Sequence, residues 1–294
     1  MFRLDRLERY ALAKAFEHIP RHAKSNLFGS RLQLDARGGD IDILIELDAS
    51  PAERFELSSH ISLVFKEHCD ERIDVVVLPM THPSSNEKAF RDNVQKVIDL
   101  RTIVHAPLLD HLALVVRDLD ASLHKSMSLG FEIQKAQPFE DTKCRECYVG
   151  EPKRPARLLF MQPTAPGSYQ RTLDKRGPGL HHLGLVVPCV PSFLDALGGS
   201  GWFIHPSSLG RIQGRDKGPI YLVRPGAPLV EVNESEPTKP APLAPVVEGV
   251  RVSLDESLTE RLSCLGVPEV TWANIPETEL RINGAWRRIR EFVS

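Results

Sequence analysis

No apolar run in the 294-residue chain is long enough to cross a bilayer, since a spanning helix needs about 20 consecutive apolar residues. The first stretch, "MFRLDRLERYALAKAF", is charged from its third residue. It lacks the apolar centre of a secretory signal and has the spacing of an amphipathic helix. Cysteine is sparse and odd in number: five, at Cys69, Cys144, Cys147, Cys189 and Cys264. That count fits a reducing cytoplasm rather than a secreted disulfide framework. Cys144 and Cys147 form one isolated C-x-x-C with no second pair beside it. Two ordinary strand thiols are expected there, not a zinc or redox centre. An excess of one charge is missing too. With 37 basic and 39 acidic side chains the net charge is −2, which supplies no basic face for nucleic acid or an anionic membrane. A small molecule is the expected partner, and the length allows two ordinary domains.

Composition divides the chain. Residues 1–105 begin with the helix and hold two strand-like runs, "IDILIEL" and "RIDVVVL". Between them Phe55, Leu57, Ile61, Val64 and Phe65 have helical spacing, so a strand–helix–strand α/β unit is expected. Residues 106–236 contain an internal repeat: "LLDHLALVVRDLDASL" (108–123) returns as "GLHHLGLVVPCVPSFL" (179–194). Each copy is an apolar strand with one His at the same place, a turn and a helix. "CRECYVG" and "ARLLFMQ" follow the first copy; "GPIYLVR" and "APLVEVNE" follow the second. The reading is a β-α-β-β-β module present twice, giving an α+β chain. The proline-rich "SEPTKPAPLAP" (235–245), which leads into 237–294, reads as a stiff linker. Beyond it lies a small β-rich appendage with an Asn283-Gly284 hairpin signal. It is expected to pack on the rest or to form an oligomer contact, as in a homodimer.

Two patterns carry chemistry. Asp40 and Asp42 are two apart on one strand and therefore share a face. Such close like charges call for a cation, and Mg2+ takes carboxylate oxygens while leaving room for phosphate and water. Asp74 opens the next apolar strand, and the Gly29-Ser30 turn offers N–H groups and a hydroxyl to a triphosphate, with Arg31 beside it. Three carboxylates on neighbouring strands suit in-line displacement at phosphorus. Asp35, Asp48, His18 and His22 read as surface or capping residues.

"LFGSRLQLDARGGDIDILIE" followed by "RIDVVVL" resembles the minimal nucleotidyltransferase family of the polymerase-beta-like superfamily, over about residues 10–100. The resemblance implies Gly29 and Ser30 at the triphosphate of ATP or another NTP. It also implies Asp40 and Asp42 on Mg2+, Asp74 as third carboxylate and base, and transfer of a nucleoside monophosphate, usually AMP, to a hydroxyl.

Residues 106–235 resemble the vicinal oxygen chelate superfamily, whose paired modules curl around a divalent metal. This implies His111 and His182 as first-strand ligands and Glu231 as a last-strand ligand, with His181 in the place of Asp110. Within that superfamily, "FEDTKCRECYVG", "APGSYQRTLDKRGPGLHHLGLVV" and "GPIYLVRPGAPLVEV" resemble the methylmalonyl-CoA epimerases. There a metal (Co, Zn, Mn, Ni or Fe) polarises a thioester carbonyl and carboxylates exchange the α-proton. The carry-over puts one acid at Glu140 or Asp141, with Glu231 as ligand and second base. Leu159 stands where Gln or Glu is expected. The remaining His, His, Glu set is also that of non-haem Fe(II) oxygenases, so an extradiol-type dioxygenase with a regulatory nucleotide-sensing domain stays open, as does a non-catalytic small-molecule binding protein. His105, His124 and His205 do not repeat and read as surface or loop residues.

Overall fold

The computed structural model describes residues 2–33, 39–104, 106–140, 143–151, 154–234, 246–254, 265, 267 and 269–293. Asp35, His105, Asp141, Cys264 and the 235–245 linker lie outside these residues. Two compact units divide between Ala106 and Pro107.

In the first unit, α1 (Arg6–Phe16) starts at Asp5, whose carboxylate accepts from the Glu8 backbone while Glu8 accepts from that of Asp5. This reciprocal cap satisfies amides that the first turn would leave open. Next come β1 (Lys24–Phe28), a single 3-10 turn (Gly29–Leu32) and β2 (Ile41–Glu46). α2 (Pro51–Lys66) begins with the same box, Ser50 and Glu53, and with proline in its first turn. β3 (Ile73–Leu78), α3 (Ser85–Asn93), β4 (Ile98–Asp99) and α4 (Leu100–Val104) complete the unit.

The sheet order is β3-β2-β1-β4. The anticipated strand–helix–strand is present: β2 and β3 run parallel across α2. β1, which the sequence reading passed over, pairs antiparallel with β2. Leu27, Ile41, Ile43 and Ile45 bury one face in a core with Ala11, Leu12, Ile61 and Phe65.

The second unit holds both modules. The first is β5 (Leu108–Val115), α5 (Leu119–Ser128), β6 (Gln137–Phe139), β7 (Cys144–Val149) and β8 (Arg157–Pro163). α6 (Ser168–Arg176) leads to the second: β9 (Gly179–Val187), α7 (Val190–Ala196), β10 (Phe203–Ile204), α8 (Leu209–Ile212), β11 (Ile220–Val223) and β12 (Leu229–Glu234). Their strands make one eight-stranded sheet, β10-β11-β12-β9-β5-β8-β7-β6. The first strands, β5 and β9, meet antiparallel at its centre, and each runs parallel to the last strand of its own module. The repeat in sequence is thus a pseudo-twofold in the sheet, and it places the two repeated histidines on adjacent central strands.

Alternation sorts the two faces. Leu112, Leu114, Leu158, Phe160, Leu183, Leu185, Val230 and Val232 point into a core shared with the C-terminal segment (Val250, Val252, Leu280 and Phe292). That segment is β13 (Gly249–Ser253), β14 (Val270–Ala273), β15 (Glu279–Ile282) and β16 (Ala285–Arg288), ordered β14-β13-β15-β16. Asn283 and Gly284 have φ of 49° and 75° and close the β15–β16 hairpin, as their pairing signals. The appendage packs on its own unit and so leaves the opposite face of the large sheet to His111 and its neighbours. Cys144 and Cys147 fall on opposite faces of β7. Burial pushes their thiols up to about 12 and about 11, which suits packing and not redox chemistry.

Candidate functional site

His111 on β5 and His182 on β9 are buried at 4% and 2% exposure, an expensive place for imidazoles without partners. Their Nε2 atoms stand 3.1 Å apart, and Glu231 Oε2 on β12 is 3.5 Å from His182 Nε2. Ligand atoms of all three lie within 4.8 Å of one another. Two nitrogens each about 2.1 Å from a shared ion stand roughly 3 to 3.4 Å apart, so the spacing and the donor types fit a divalent metal.

The residue before each histidine orients it. Asp110 Oδ2 lies 2.8 Å from His111 Nδ1 and accepts its hydrogen, which turns the His111 Nε2 lone pair to the centre. In the repeated position His181 Nδ1 lies 2.8 Å from His182 Nδ1. Burial lowers His181 to about 4 and, with His111 and then His181 beside it, takes His182 well below the usual range. His181 and His182 are therefore neutral near pH 7, and neutral is the form in which imidazole ligates. The close approach of His182 to Glu231 is then a contact of a neutral ring with a carboxylate, not an ion pair.

Room for His111 comes from Gly184: a Cβ there would sit 2.2 Å from His111 Cε1. Gly184→Ala is expected to displace the ring and cost about 1–3 kcal/mol. Thermal unfolding of the variant with and without added divalent ion checks both effects.

Three tyrosines surround the centre. Tyr148 packs edge-on to His111, Tyr169 to His181 and Tyr221 to His182. Burial, the largest cause, raises Tyr148 to about 12 and raises Tyr169 and Tyr221 as well, so all three remain phenols. Tyr221 donates to Glu231, and Asn233 Nδ2 donates to Glu231 Oε1 at 3.0 Å. Leu159 is 5% exposed and packs with Ala113, Cys144 and Met161 on the same face.

Among the acids named from sequence, the structure does not bring Glu140 to the histidines. It is exposed in the turn after β6, the edge strand three places from β5. The acid that faces the centre is Glu146. It shares a face of β7 with Cys144 and Tyr148, and its charge acts on Tyr148 and Tyr169, as does that of Glu231. The period-2 alternation of "CRECYV" carries this signal.

In the first unit Asp42 and Asp74 are cross-strand partners, and Phe28 is the partner of Asp42 on the other side. Gly29 has φ +75°, and a Cβ on it would sit 2.1 Å from Asp42 Oδ2, so only glycine lets the turn close on that carboxylate. The Ser30 N–H donates to Asp42. Burial first, then Asp74 and Asp40, raises the Asp42 carboxyl; Asp40 lies just before β2. Arg31 is turned to the interior. Its Nη2 pairs with Glu8 at 2.9 Å, and its Nε donates to the Gly39 carbonyl at 3.1 Å. Asp48 caps the Thr81 amide, His18 and His22 are exposed, His124 bonds the Asp120 carbonyl, and His205 accepts from Ser207 N–H.

Residues 74–216 match the model of the Glyoxalase/Bleomycin resistance protein/Dioxygenase superfamily, and the chain carries a domain of that kind. The match leaves residues 1–73 and 217–294 uncovered, and Glu231 on β12 lies beyond it. Similar solved structures include methylmalonyl-CoA epimerase from Mycobacterium tuberculosis (26% identity, 46% of this chain and 88% of that one, TM-score 0.35). A variant of the Streptomyces coelicolor methylmalonyl-CoA epimerase in complex with 2-nitronate-propionyl-CoA is 19% identical (43% and 96%, TM-score 0.35). A hypothetical protein from Bacillus halodurans is 16% identical (44% and 95%, TM-score 0.36). No curated protein matches the chain. Among the described residues no helix is long and apolar enough to cross a membrane.

Proposed function

We propose that the second unit is a metal-dependent epimerase-like centre. It would exchange the proton beside the carbonyl of a small acyl thioester or a similarly oxygen-rich metabolite. The observation that carries this reading is the meeting of His111, His182 and Glu231 from three strands on a face that Glu146 also lines. A divalent ion held there supplies Lewis acidity toward a carbonyl oxygen. The chain supplies the rest. Asp110 and His181 hold the two rings in place. Half-buried phenols line the centre, and that of Tyr221 donates to Glu231. Glu146 and Glu231, whose charges both act on Tyr148 and Tyr169, would serve as the acid–base pair: the ionised one takes the α-proton, its C–H electrons passing to the carbonyl, and the protonated one returns a proton to the opposite face.

Incubating the full chain with methylmalonyl-CoA in deuterated water tests this by mass spectrometry. Exchange into the α-position is expected, falling by about 10²–10⁴-fold in Glu146→Gln. Metal-loaded protein with no exchange above the buffer rate sinks the reading. Leu159 favours a second one: with no fourth protein ligand among the described residues, two histidines and one carboxylate leave positions open as in Fe(II) extradiol-type oxygenases. Oxygen uptake with Fe(II) and catechols distinguishes it.

For the first unit we propose Mg-dependent transfer of a nucleoside monophosphate, AMP in the first instance, from an NTP to a hydroxyl. The support is geometric: Asp42 abreast of Asp74, with the Gly29-Ser30 turn closed against Asp42. Both activities suit a cytoplasmic protein acting on small metabolites.

A further inference from the structure

A separate cavity of about 300 Å3 lies in the first unit, between the end of α1 and the start of α4. Its apolar wall includes Phe16, Ile19, Pro20 and Ala23; Ser25, Arg21 and Arg101 also line it. It is not part of the candidate nucleotide site. On β1, Ser25 and Leu27 point to the buried face, whereas Phe28, abreast of Asp42, points to the other.

Two features of this cavity ask for a ligand. Ser25 is 3% exposed, and its Oγ has no hydrogen-bond partner among the described residues. A buried hydroxyl left so costs about 1–3 kcal/mol, which an incoming polar group would offset. The rim is positive. Arg101 Nη2 donates to the carbonyls of Arg21 and Ala23, both at 3.3 Å, which fixes the guanidinium in place. Neither Arg21 nor Arg101 forms an ion pair among the described residues. A fixed guanidinium fork beside an apolar wall matches a carboxylate on a compact apolar body, and the volume is at the small end of ligand pockets.

We propose that this cavity binds a small organic carboxylate bearing one further hydrogen-bonding group. The apolar body lies against Phe16, Ile19 and Ala23, the carboxylate meets Arg101 and Arg21, and the second polar group meets Ser25 Oγ. The site is independent of either activity above.

Methyl NMR of the full chain tests it with four probes: meta-hydroxybenzoate, benzoate, meta-hydroxybenzamide and inorganic phosphate. Saturable shifts of the Ile19 and Ala23 methyls are expected with meta-hydroxybenzoate. Its amide should bind about tenfold or more weakly, as loss of a charged hydrogen bond implies, and phosphate should leave those methyls unmoved. Arg101→Gln should weaken binding by about tenfold or more, and Ser25→Ala should erase the preference for meta-hydroxybenzoate over benzoate. Should Arg101→Gln disturb the turn it ties, Arg21→Gln at the exposed rim carries the same expectation in a smaller degree. The proposal is overturned if neither carboxylate shifts the methyls, if the amide binds as well as the acid, or if both arginine variants bind like wild type.

Discussion

His182→Ala is expected to lose tight divalent-metal binding and all α-proton exchange while the chain stays folded. The magnitude follows from how few ligands the centre has. Losing a residue that merely orients a ligand costs about 10–100-fold in affinity. Among the described residues, removing His182 leaves only His111 and Glu231, because the face of β8 that could hold a fourth ligand holds Leu159. A loss of more than about a hundredfold is therefore expected, read by competition with a chelator.

The fold should survive, since the apolar core lies on the opposite face of the sheet. Leu159→Gln should move affinity the other way. Without metal it buries an amide at a cost of about 1–3 kcal/mol; with metal that amide oxygen gains a partner. The variant should be less stable than wild type when stripped and should regain most of the difference when loaded. Wild-type protein that takes up no stoichiometric Zn, Mn, Co, Ni or Fe contradicts the centre itself. A His182→Ala chain that still holds metal contradicts the ligand assignment.

What the sequence disclosed follows from the range of each signal. The D-x-D strand, the Gly-Ser turn and Asp74 were legible because each is local and the strands around them are continuous apolar runs. The two histidines that meet on adjacent central strands were legible because the module is repeated, which singles out His111 and His182 from eleven histidines in all. β4 and β10 are two-residue strands, too short for any period to show. β1 ends in the Gly-Ser turn, and its five residues carry only two buried positions.

Arg31 stood beside the turn in sequence, but its partner Glu8 is twenty-three positions away on α1, and no local pattern announces such a pair. Glu146 was hidden for a different reason. Alternation from Tyr148 back through "CRECYV" places Glu146 on the face of His111, whereas the resemblance points to the loop acids Glu140 and Asp141.

Asp42→Asn should raise stability and abolish nucleotidyl transfer, two effects of opposite sign from one carboxylate. The carboxyl is raised by burial, then by Asp74 and Asp40. A carboxyl whose folded pKa lies above its unfolded value favours folding only while protonated. Its ionised form costs stability as pH rises through the unfolded value toward the folded one, and that cost is fully present above the folded value. Asparagine keeps the shape and can still accept the Ser30 N–H, but it carries no charge. The variant should therefore unfold at a higher temperature than wild type near pH 7, and the gain should vanish below the ordinary carboxylate range.

Adding Mg2+ and ATP should reverse the order. A ligand at a hundred times its Kd stabilises the folded state by about 2.7 kcal/mol, and only the wild type keeps the carboxylate pair that draws the ion. Transfer of labelled AMP should fall by about a thousandfold or more, since the residue acts on charge that develops at phosphorus. Equal stabilisation of both proteins by Mg2+ and ATP would show that the nucleotide, if it binds, does not bind at Asp42. A wild type more stable than the variant without ligand would show that the cluster of Asp40, Asp42 and Asp74 is not the strained, cation-seeking group that its position on the strands implies.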